Sequence, residues 1–323
     1  MPATRRALGK LAKSTSFLWH RKPVASAEQI QQLVDTFRQR IAELRAAPGS
    51  NVGAGDLWSE FCARLEEHAE SDDPMGFLKW PVVESTMNVI ASYVDLELDH
   101  LQSHPAYRSF WRSGLRETSV GGPTPYWRLP WSSGNTIHHA YHLCRFSEAT
   151  QARFEDLRFV FEFGGGYGNL CRLLFKLGFK GHYVIFDLPH FSALQRFYLD
   201  AVGLTGNASA RPIGGQVTCV SRVDEAARIL QSAKPNDDSL FIGTWSLSET
   251  PLAGRNWIEQ YLVRFSHILV AYQNEFCGID NSDYFRRASR RLPAVQADRV
   301  ESITHIPGNN YWFASNARSL CAA

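Results

Sequence analysis

The chain has 323 residues, and its 34 Lys and Arg nearly balance its 32 Asp and Glu, which argues against a protein built to coat nucleic acid. No apolar run approaches the roughly 18 residues of a membrane-spanning helix, so we expect neither nucleic acid nor a membrane as partner. The six cysteines are scattered without a C-x-x-C pair, which indicates neither a zinc site nor a disulfide framework and fits a reducing cytoplasm.

The first 23 residues are basic and contain no acid. Their apolar stretch, residues 17–19, is too short for a signal peptide, which needs about 7–15 apolar residues. We expect an N-terminal arm that is mobile or docked on the surface. A lid or an oligomer contact is the alternative.

Residues 24–150 predict a helical cap domain. Residues 26–29 read Ser-Ala-Glu-Gln, the pattern of a capping box that opens a helix. The apolar residues that follow recur at helical spacing: Ile30, Leu33, Val34, Phe37, Ile41 and Leu44. A second helix is predicted from Asp56, and the sequence remains helical in pattern to about Trp111.

The character of the chain changes over residues 119–134. Three prolines, a Gly121-Gly122 pair and three aromatic residues predict a constrained loop. Another helix is predicted over residues 135–146.

Residues 159–188 carry the strongest functional signal. An apolar run ends in Glu162, glycines follow at alternate positions from Gly164 to Gly168, and a second apolar run ends in Asp187. The order is strand, glycine turn, helix, strand with a terminal acid, which is how an open α/β sheet presents an adenosine-bearing cofactor. Asn169 stands where a G-x-G-x-x-G dinucleotide fingerprint needs its third glycine, so that motif is not met.

The resulting E-x-G-x-G-x-G pattern resembles motif I of class I S-adenosylmethionine (SAM) methyltransferases. The resemblance implies an α/β, Rossmann-like fold with a seven-stranded sheet, and SAM as the cofactor. It also implies that Glu162 lies beside the cofactor's amino group and that Asp187 holds the ribose hydroxyls. The structural alternative is an ordinary strand-turn-helix in which the glycines serve packing.

The rest of the chain fits this resemblance. Strands are predicted near residues 158–163, 182–187, 217–221, 239–243, 266–272, 295–303 and 310–315, the last two antiparallel. They form a SAM-binding domain over residues 151–323. The predicted cofactor contacts are Glu162, Gly164, Gly165, Gly166, Tyr167, Asn169, Asp187, Leu188, Asn135, Thr244 and Ser246.

A narrower resemblance, to the sugar O-methyltransferase group, rests on further segments: residues 73–87, 132–143, 244–250, 271–285 and 305–313. It implies methyl transfer from SAM to a hydroxyl of a small molecule such as a sugar. Enzymes that cyclise SAM to azetidine-2-carboxylate with release of methylthioadenosine resemble the same group, so cyclisation of SAM alone is the alternative. A third hypothesis is a catalytically silent SAM-fold subunit. The sequence leaves the oligomeric state undecided, with a homodimer as one alternative.

An oxygen acceptor has to lose its proton, so one basic side chain is expected near the methyl group. The candidate catalytic residues are His139, His142, Glu249 and Tyr167. His138 shares the helix of the two histidines, yet no carboxylate at the usual spacing completes a metal set, so no metal is expected.

Aromatic faces attract the sulfonium cation of SAM. Tyr167 is the first choice because a residue inside the glycine turn is not expected in the core. The candidate substrate-binding residues are Tyr126, Trp127, Trp131, Trp245, Gln273 and Asn274. Simple packing is the alternative for the aromatic residues, turn formation for Gln273 and Asn274, and a helix N-cap for Ser246 and Ser248.

Overall fold

The computed structural model describes residues 26–46, 56–89, 91–205, 215–232, 238–292 and 295–316. The basic arm predicted over residues 1–23 lies outside them. Within these ranges, no helix combines the length and the apolar character that crossing a membrane requires. The cysteines of the described part are free thiols.

The described chain up to residue 150 is predominantly helical, as predicted. Its helices are α1 (Ala27–Ala46), α2 (Asp56–Ser71), α3 (Pro81–Met87), α4 (Val94–Ser103), α5 (Arg112–Gly114) and α6 (Gly134–Thr150), with a 3₁₀ helix at Pro74–Lys79 and a π-helical turn at Tyr107–Trp111. The predicted capping box is confirmed: the Ser26 amide donates to Gln29 Oε1 (2.8 Å), and the Gln29 amide donates to Ser26 Oγ (3.2 Å).

The loop predicted over residues 119–134 is partly wrong. It contains the antiparallel strands β1 (Pro125–Tyr126) and β2 (Leu129–Ser133). The strands are short and lie among prolines and glycines, so the local turn signals conceal the hairpin. Ser133 ends β2 and caps α6, because its Oγ accepts a hydrogen bond from the Thr136 amide (3.2 Å).

All seven predicted sheet strands are confirmed. They are β3 (Phe159–Phe163), β4 (His182–Phe186), β5 (Gln216–Val220), β6 (Ser239–Thr244), β7 (His267–Gln273), β10 (Val295–Ser302) and β11 (Asn309–Asn316). The order in the sheet is β10-β11-β7-β6-β3-β4-β5. Strands β3 to β7 pair in parallel, and β11 pairs antiparallel with both β7 and β10.

Helices connect the parallel strands and flank the sheet. They are α7 (Asn169–Lys176), α8 (Pro189–Ala201), α9 (Val223–Ser232), α10 (Ser246–Glu249), α11 (Leu252–Leu262) and α12 (Asn281–Ser289), and a small ribbon of β8 (Glu275–Phe276) and β9 (Ile279–Asp280) follows β7. The chain is therefore a Rossmann-like α/β fold with an N-terminal helical region.

Successive strand residues point to opposite faces of the sheet and build two apolar cores. Val160 and Ile185 belong to a core that also contains Phe37 of α1 and Ile137 of α6. Phe161 belongs to the second core, on the other face. The N-terminal helices therefore share one continuous core with a face of the sheet.

Strand β3 has β4 on one side and β6 on the other, so the strand order reverses at β3. Glu162 on β3 is in register with Ile185 of β4 and Ile242 of β6. The residues just beyond these positions therefore emerge at one edge of the sheet. In open α/β sheets this switch point is where ligands bind.

Candidate active site

The glycine turn after β3 depends on backbone conformations that favour glycine. Gly164, Gly166 and Gly168 have φ of 72°, 56° and 92°. A Cβ at Gly164 would lie 2.2 Å from the Cβ of Ser246, whereas a Cβ at Gly166 would meet only the Met87 side chain, at 3.6 Å. The backbone at Gly166 is thus much less crowded than at Gly164, and it can accept the close approach of a ligand.

Glu162 is buried beneath this turn, with 2% of its surface exposed. The Tyr183 hydroxyl donates to Glu162 Oε2 at 2.8 Å and is the one side-chain donor to Glu162 in the described part of the chain. Burial raises the pKa of Glu162 to about 8, against the lowering effect of the Tyr183 hydrogen bond and with a further raise from the charge of Asp187. The protein thus provides little compensation for a charged carboxyl at this position, which suits Glu162 to pair with an incoming cation.

Asp187, which follows β4, is held to the same turn. Its Oδ1 accepts from the Leu188 amide (2.8 Å), and its Oδ2 accepts from Gln195 Nε2 (2.7 Å). Burial raises the pKa of Asp187 to about 7, although these bonds and the amides of Gly165 and Gly166 lower it. Asp187 is thus already partly engaged by protein donors.

Gln195 on α8 was missed by the sequence analysis. Its Nε2 donates both to Asp187 Oδ2 and to the Gly166 carbonyl (2.9 Å), while its Oε1 is buried without a hydrogen-bond partner among the described residues. The signal in the sequence was a glutamine among the apolar residues of a helix. In the structure Gln195 is fully buried, and buried polar groups are costly unless they are hydrogen-bonded.

Tyr167 belongs to the core, so the expectation that it stands clear of the core is wrong. It is 3% exposed, and its ring centroid lies 5.5 Å from that of Phe77 and 5.1 Å from that of Tyr198. Asn135 Nδ2 donates to its hydroxyl at 3.3 Å. Its backbone forms part of the glycine turn while its ring joins that turn to the helical region.

Asn135 is similarly engaged by protein groups. Its Oδ1 accepts from the Val89 amide (2.6 Å), and its Nδ2 also donates to the Met87 carbonyl (3.0 Å). These bonds hold the segment after α3 beside Gly166, where the Met87 side chain lies. Asn135 therefore positions a part of the cap that adjoins the glycine turn.

Asn169, the first residue of α7, links the turn to α6. Its Nδ2 donates to His139 Nδ1 at 2.9 Å, and its Oδ1 accepts from Arg172 Nη2 at 2.8 Å. Arg172 in turn pairs with the buried Glu117 at 2.9 Å. Burial raises the pKa of Glu117, but the Arg172 charge and three hydrogen bonds outweigh burial and lower it.

The run after β6 connects the turn to α6. Ser246 lies against Gly164 and its hydroxyl donates to the Phe163 carbonyl, so it does not cap α10. Trp245, the residue before Ser246, has φ 61°, a strained conformation for a residue with a side chain. Its indole Nε1 donates to Asn309 Oδ1 (2.7 Å), and its ring stacks on His138 with centroids 5.6 Å apart.

His138 belongs to a buried cluster around Glu97, which is wholly buried on α4. Glu97 Oε1 lies 2.7 Å from His138 Nδ1 and 2.9 Å from His305 Nε2, so both rings are placed to donate to one oxygen. Burial alone would raise the pKa of Glu97, but the charges and hydrogen bonds of the two imidazoles outweigh it and lower the pKa. None of these three residues was a predicted site residue.

His139 and His142, the predicted bases, are poorly placed for proton abstraction. Burial lowers the pKa of His139 to about 3, and its Nδ1 is taken by Asn169. Burial also lowers the pKa of His142 far below its ordinary value, its Nδ1 is bonded to the Tyr311 hydroxyl, and its Nε2 is buried without a partner in the described part of the chain. In contrast, His138 has Nδ1 held by a carboxylate, the arrangement that orients a catalytic imidazole.

The remaining predicted residues lie either near the ends of β6 and β7 or in the β1–β2 hairpin. Glu249, which follows β6, lies beside Gln273, the last residue of β7. Gln273 Nε2 donates to Glu249 Oε1 (3.4 Å), and Gln273 Oε1 accepts from Ser248 Oγ (2.6 Å). Burial raises the pKa of Glu249. Asn274 is exposed, and Thr244 is half-buried at the end of β6.

The aromatic hairpin contacts the helical region. The Tyr126 hydroxyl donates to Asp95 on α4 at 2.5 Å, the Arg112 guanidinium lies 5.9 Å from the Trp131 ring centroid, and Trp127 is 50% exposed. These contacts serve packing of the hairpin on α4 and α5. The substrate-binding roles of the three rings stay predictions.

No protein-family model and no curated protein matches the chain. Its backbone is similar, at low identity, to solved structures that include methyltransferases. The mitomycin 7-O-methyltransferase MmcR has 13% identity over 82% of this chain and 76% of its own, with a TM-score of 0.38. The magnesium protoporphyrin IX methyltransferase ChlM of Synechocystis PCC 6803, solved with bound SAH, has 10% identity over 56% and 84%, with a TM-score of 0.38. Fibrillarin of Methanococcus jannaschii has 8% identity over 51% and 69%, with a TM-score of 0.35.

Proposed function

We propose that the chain is a SAM-dependent methyltransferase that transfers the methyl group to a hydroxyl of a small molecule, such as a sugar. The observation that carries the proposal is the adjacency of two half-sites. One is the glycine turn with the buried Glu162 and the half-buried Asp187, and the other is the carboxylate-oriented imidazole of His138. Ser246 contacts the first and the neighbouring Trp245 stacks on the second, so two consecutive residues bridge the half-sites.

The residues of the first half-site fit SAM. Bound SAM supplies an electrophilic methyl group on a sulfonium and a positively charged amino group. The backbone at Gly166 is not crowded and leaves room for the cofactor. The cofactor's amino group gives the buried carboxyl of Glu162 a cationic partner. Asp187 would hold the ribose hydroxyls only by sharing oxygens that already accept from Leu188 and Gln195.

The second half-site supplies the base. Glu97 holds His138 by Nδ1, which leaves Nε2 to accept the proton of the acceptor hydroxyl. The buried carboxylate stabilises the imidazolium that forms. Alignment of the hydroxyl with the methyl group is a proximity effect, and a positioned base contributes a further factor of about 10²–10⁴.

The pairing of His138 with Glu97 favours methyl transfer over cyclisation of SAM. Cyclisation uses the cofactor's own amine as nucleophile, so the group that has to lose a proton is that amine beside Glu162 and not an acceptor hydroxyl beside His138. A carboxylate-oriented histidine next to the cofactor turn is therefore a feature that methyl transfer uses directly. A product assay distinguishes methyl transfer from cyclisation.

The test begins with SAM binding, measured by isothermal titration calorimetry on the wild-type chain, on Glu162→Gln and on the exposed control Glu60→Gln. We expect loss of the charge pair in Glu162→Gln to weaken binding by about 2–5 kcal/mol and the control to bind normally. No binding by the wild-type chain would instead support a catalytically silent subunit.

The second step identifies products. Incubation with SAM alone should leave the cofactor intact, whereas addition of a fractionated extract of hydroxylated metabolites should yield S-adenosylhomocysteine and one methylated compound. Methylthioadenosine together with azetidine-2-carboxylate, formed from SAM alone, would overturn methyl transfer in favour of cyclisation.

A further inference from the structure

We propose that His100, Cys144 and Glu148 form a binding site for Zn²⁺ or a similar first-row transition-metal ion between α4 and α6. Their ligand atoms, His100 Nε2, Cys144 Sγ and Glu148 Oε1, all lie within 4.8 Å of one another. The imidazole nitrogen is 2.8 Å from the carboxylate oxygen, and the sulfur is 3.6 Å from that same oxygen.

The donor set points to the class of metal. Thiolate sulfur, imidazole nitrogen and carboxylate oxygen are the ligands that Zn²⁺ takes in proteins, while Mg²⁺ and Ca²⁺ prefer oxygen throughout. Tetrahedral Zn²⁺ at ordinary bond lengths separates ligand sulfur and oxygen by about 3.5 Å, and nitrogen and oxygen by about 3.3 Å. The sulfur–oxygen pair is already at that spacing, and the nitrogen–oxygen pair has to open by about 0.5 Å.

The fold holds these ligands in place. Cys144 and Glu148 are four residues apart on α6 and so share a face, which His100 of α4 approaches. Arg145 Nη1 donates to Glu148 Oε2 (2.7 Å), and Arg145 Nη2 donates to Glu301 (2.7 Å). This outer contact fixes the carboxylate with Oε1 directed at the other two ligands, as supporting residues do around metal sites.

Metal binding replaces protons. Glu148 Oε1 accepts from the Cys144 thiol and lies at hydrogen-bond distance from the His100 ring. On binding, the thiol releases its proton to solvent, and the proton that His100 Nε2 shares with Glu148 leaves that nitrogen. The neutral imidazole then carries its proton on Nδ1, and the Nε2 lone pair faces the metal. The His100 and Glu148 side chains are 31% and 28% exposed, which admits the ion and a water as fourth ligand.

A metal here would join the two helices that carry the imidazole cluster. Glu97 lies one turn before His100 on α4, and His138 precedes Cys144 on α6. The ion would thus act structurally, by fixing the spacing between the carboxylate and the imidazole that it orients.

The test uses the full chain, freed of metal by dialysis against a chelator and titrated with Co²⁺. We expect a near-ultraviolet thiolate-to-Co²⁺ charge-transfer band that saturates at about one equivalent and is displaced by Zn²⁺. Zn²⁺ should also raise the midpoint of thermal unfolding. Cys144→Ser should abolish the band, and Cys277→Ser, at an exposed cysteine, should retain it.

Cys144 is buried, so its variant is checked by circular dichroism, and His100→Asn at a partly exposed position provides the second arm. We expect His100→Asn to fold and to bind Co²⁺ at least about tenfold more weakly. Absence of the band in the wild-type chain, its survival in a folded Cys144→Ser, unweakened Co²⁺ binding by His100→Asn, or loss of the band in Cys277→Ser would each overturn the proposal.

Discussion

Glu162 and Glu97 are the same residue type at almost the same burial, 2% and 0% exposed, yet their pKa values are shifted in opposite directions. Glu162 receives one neutral donor, the Tyr183 hydroxyl, and its pKa is raised. Glu97 receives two imidazoles, and its pKa is lowered. Burial alone therefore does not determine the charge of a carboxyl group, because its partners decide whether the charged form is stabilised.

The comparison separates two kinds of half-site. The glycine turn holds an acid whose ionised form is not compensated by the protein, which suits it to a cationic ligand. The imidazole cluster holds an acid whose charge is compensated by side chains from α6 and from the segment before β11. The first half-site is completed by the proposed cofactor, and the second by the fold itself.

The largest effect is expected from His138→Asn, which keeps an amide donor near Glu97 but removes the base. Turnover with the identified acceptor should fall by about 10²–10⁴-fold, while SAM affinity stays close to that of the wild-type chain. Steady-state kinetics and calorimetry measure the two. His139→Asn is the matched control, and a larger loss of turnover in that variant would contradict the assignment of His138 as base.

Glu97→Gln should destabilise the fold, because both imidazole rings then donate to a neutral amide oxygen in place of a carboxylate. Hydrogen bonds to charged groups contribute about 1.5–3 kcal/mol each, against about 0.5–1.5 kcal/mol for neutral ones, so we expect a loss of about 2 kcal/mol. Denaturant unfolding at pH 7 measures the change. Glu162→Gln, at equal burial, should not be destabilised at that pH, since the amide resembles the neutral carboxyl. Equal losses in both variants would refute the distinction between the two acids.

The pH dependence of stability should carry the signature of Glu162. Its pKa is 4.5 ordinarily and about 8 in the fold, so the folded state binds the proton more tightly. Its contribution to stability is complete below about pH 4.5 and is lost as pH rises through about 8. Within that window Glu162→Gln should flatten the fall in unfolding free energy by up to about 1.4 kcal/mol per pH unit, as followed by denaturant titrations. An unchanged slope would show that Glu162 is ionised throughout.

The smallest effect concerns protons released when SAM binds. Pairing with the cofactor's amino group should ionise Glu162, so binding at pH 7 should release up to about one proton more in the wild-type chain than in Glu162→Gln. Calorimetry in buffers of different ionisation enthalpy measures this difference. Equal release by the two proteins would indicate that Glu162 does not receive the cation.

Local patterns were sufficient for the framework of the fold. The seven strands, the capping box at Ser26 and the glycine turn could all be predicted, because strand runs, helix caps and positive-φ glycines are determined by neighbours in sequence. The β1–β2 hairpin was concealed because its strands are too short for a periodic signal.

The site was predictable only on its cofactor side. His305 lies 208 positions from Glu97, and Tyr311 lies 169 positions from His142, so neither contact leaves a trace in local spacing. Local spacing did not identify His138 as the better base, because the three histidines lie on adjacent turns of one helix and only their neighbours in the fold distinguish them. Tyr167 was placed outside the core because its aromatic partners, Phe77 and Tyr198, come from other elements.

The sequence by itself determined where the chain turns, which strands form, and which acids end β3 and follow β4, since these depend on short-range sterics and apolar periodicity. Only the tertiary structure decided that the pKa values of these two acids are raised and which histidine receives a carboxylate. Charge states depend on desolvation and on partners that distant segments bring within hydrogen-bond distance, and these exist only once the cap has packed against the sheet.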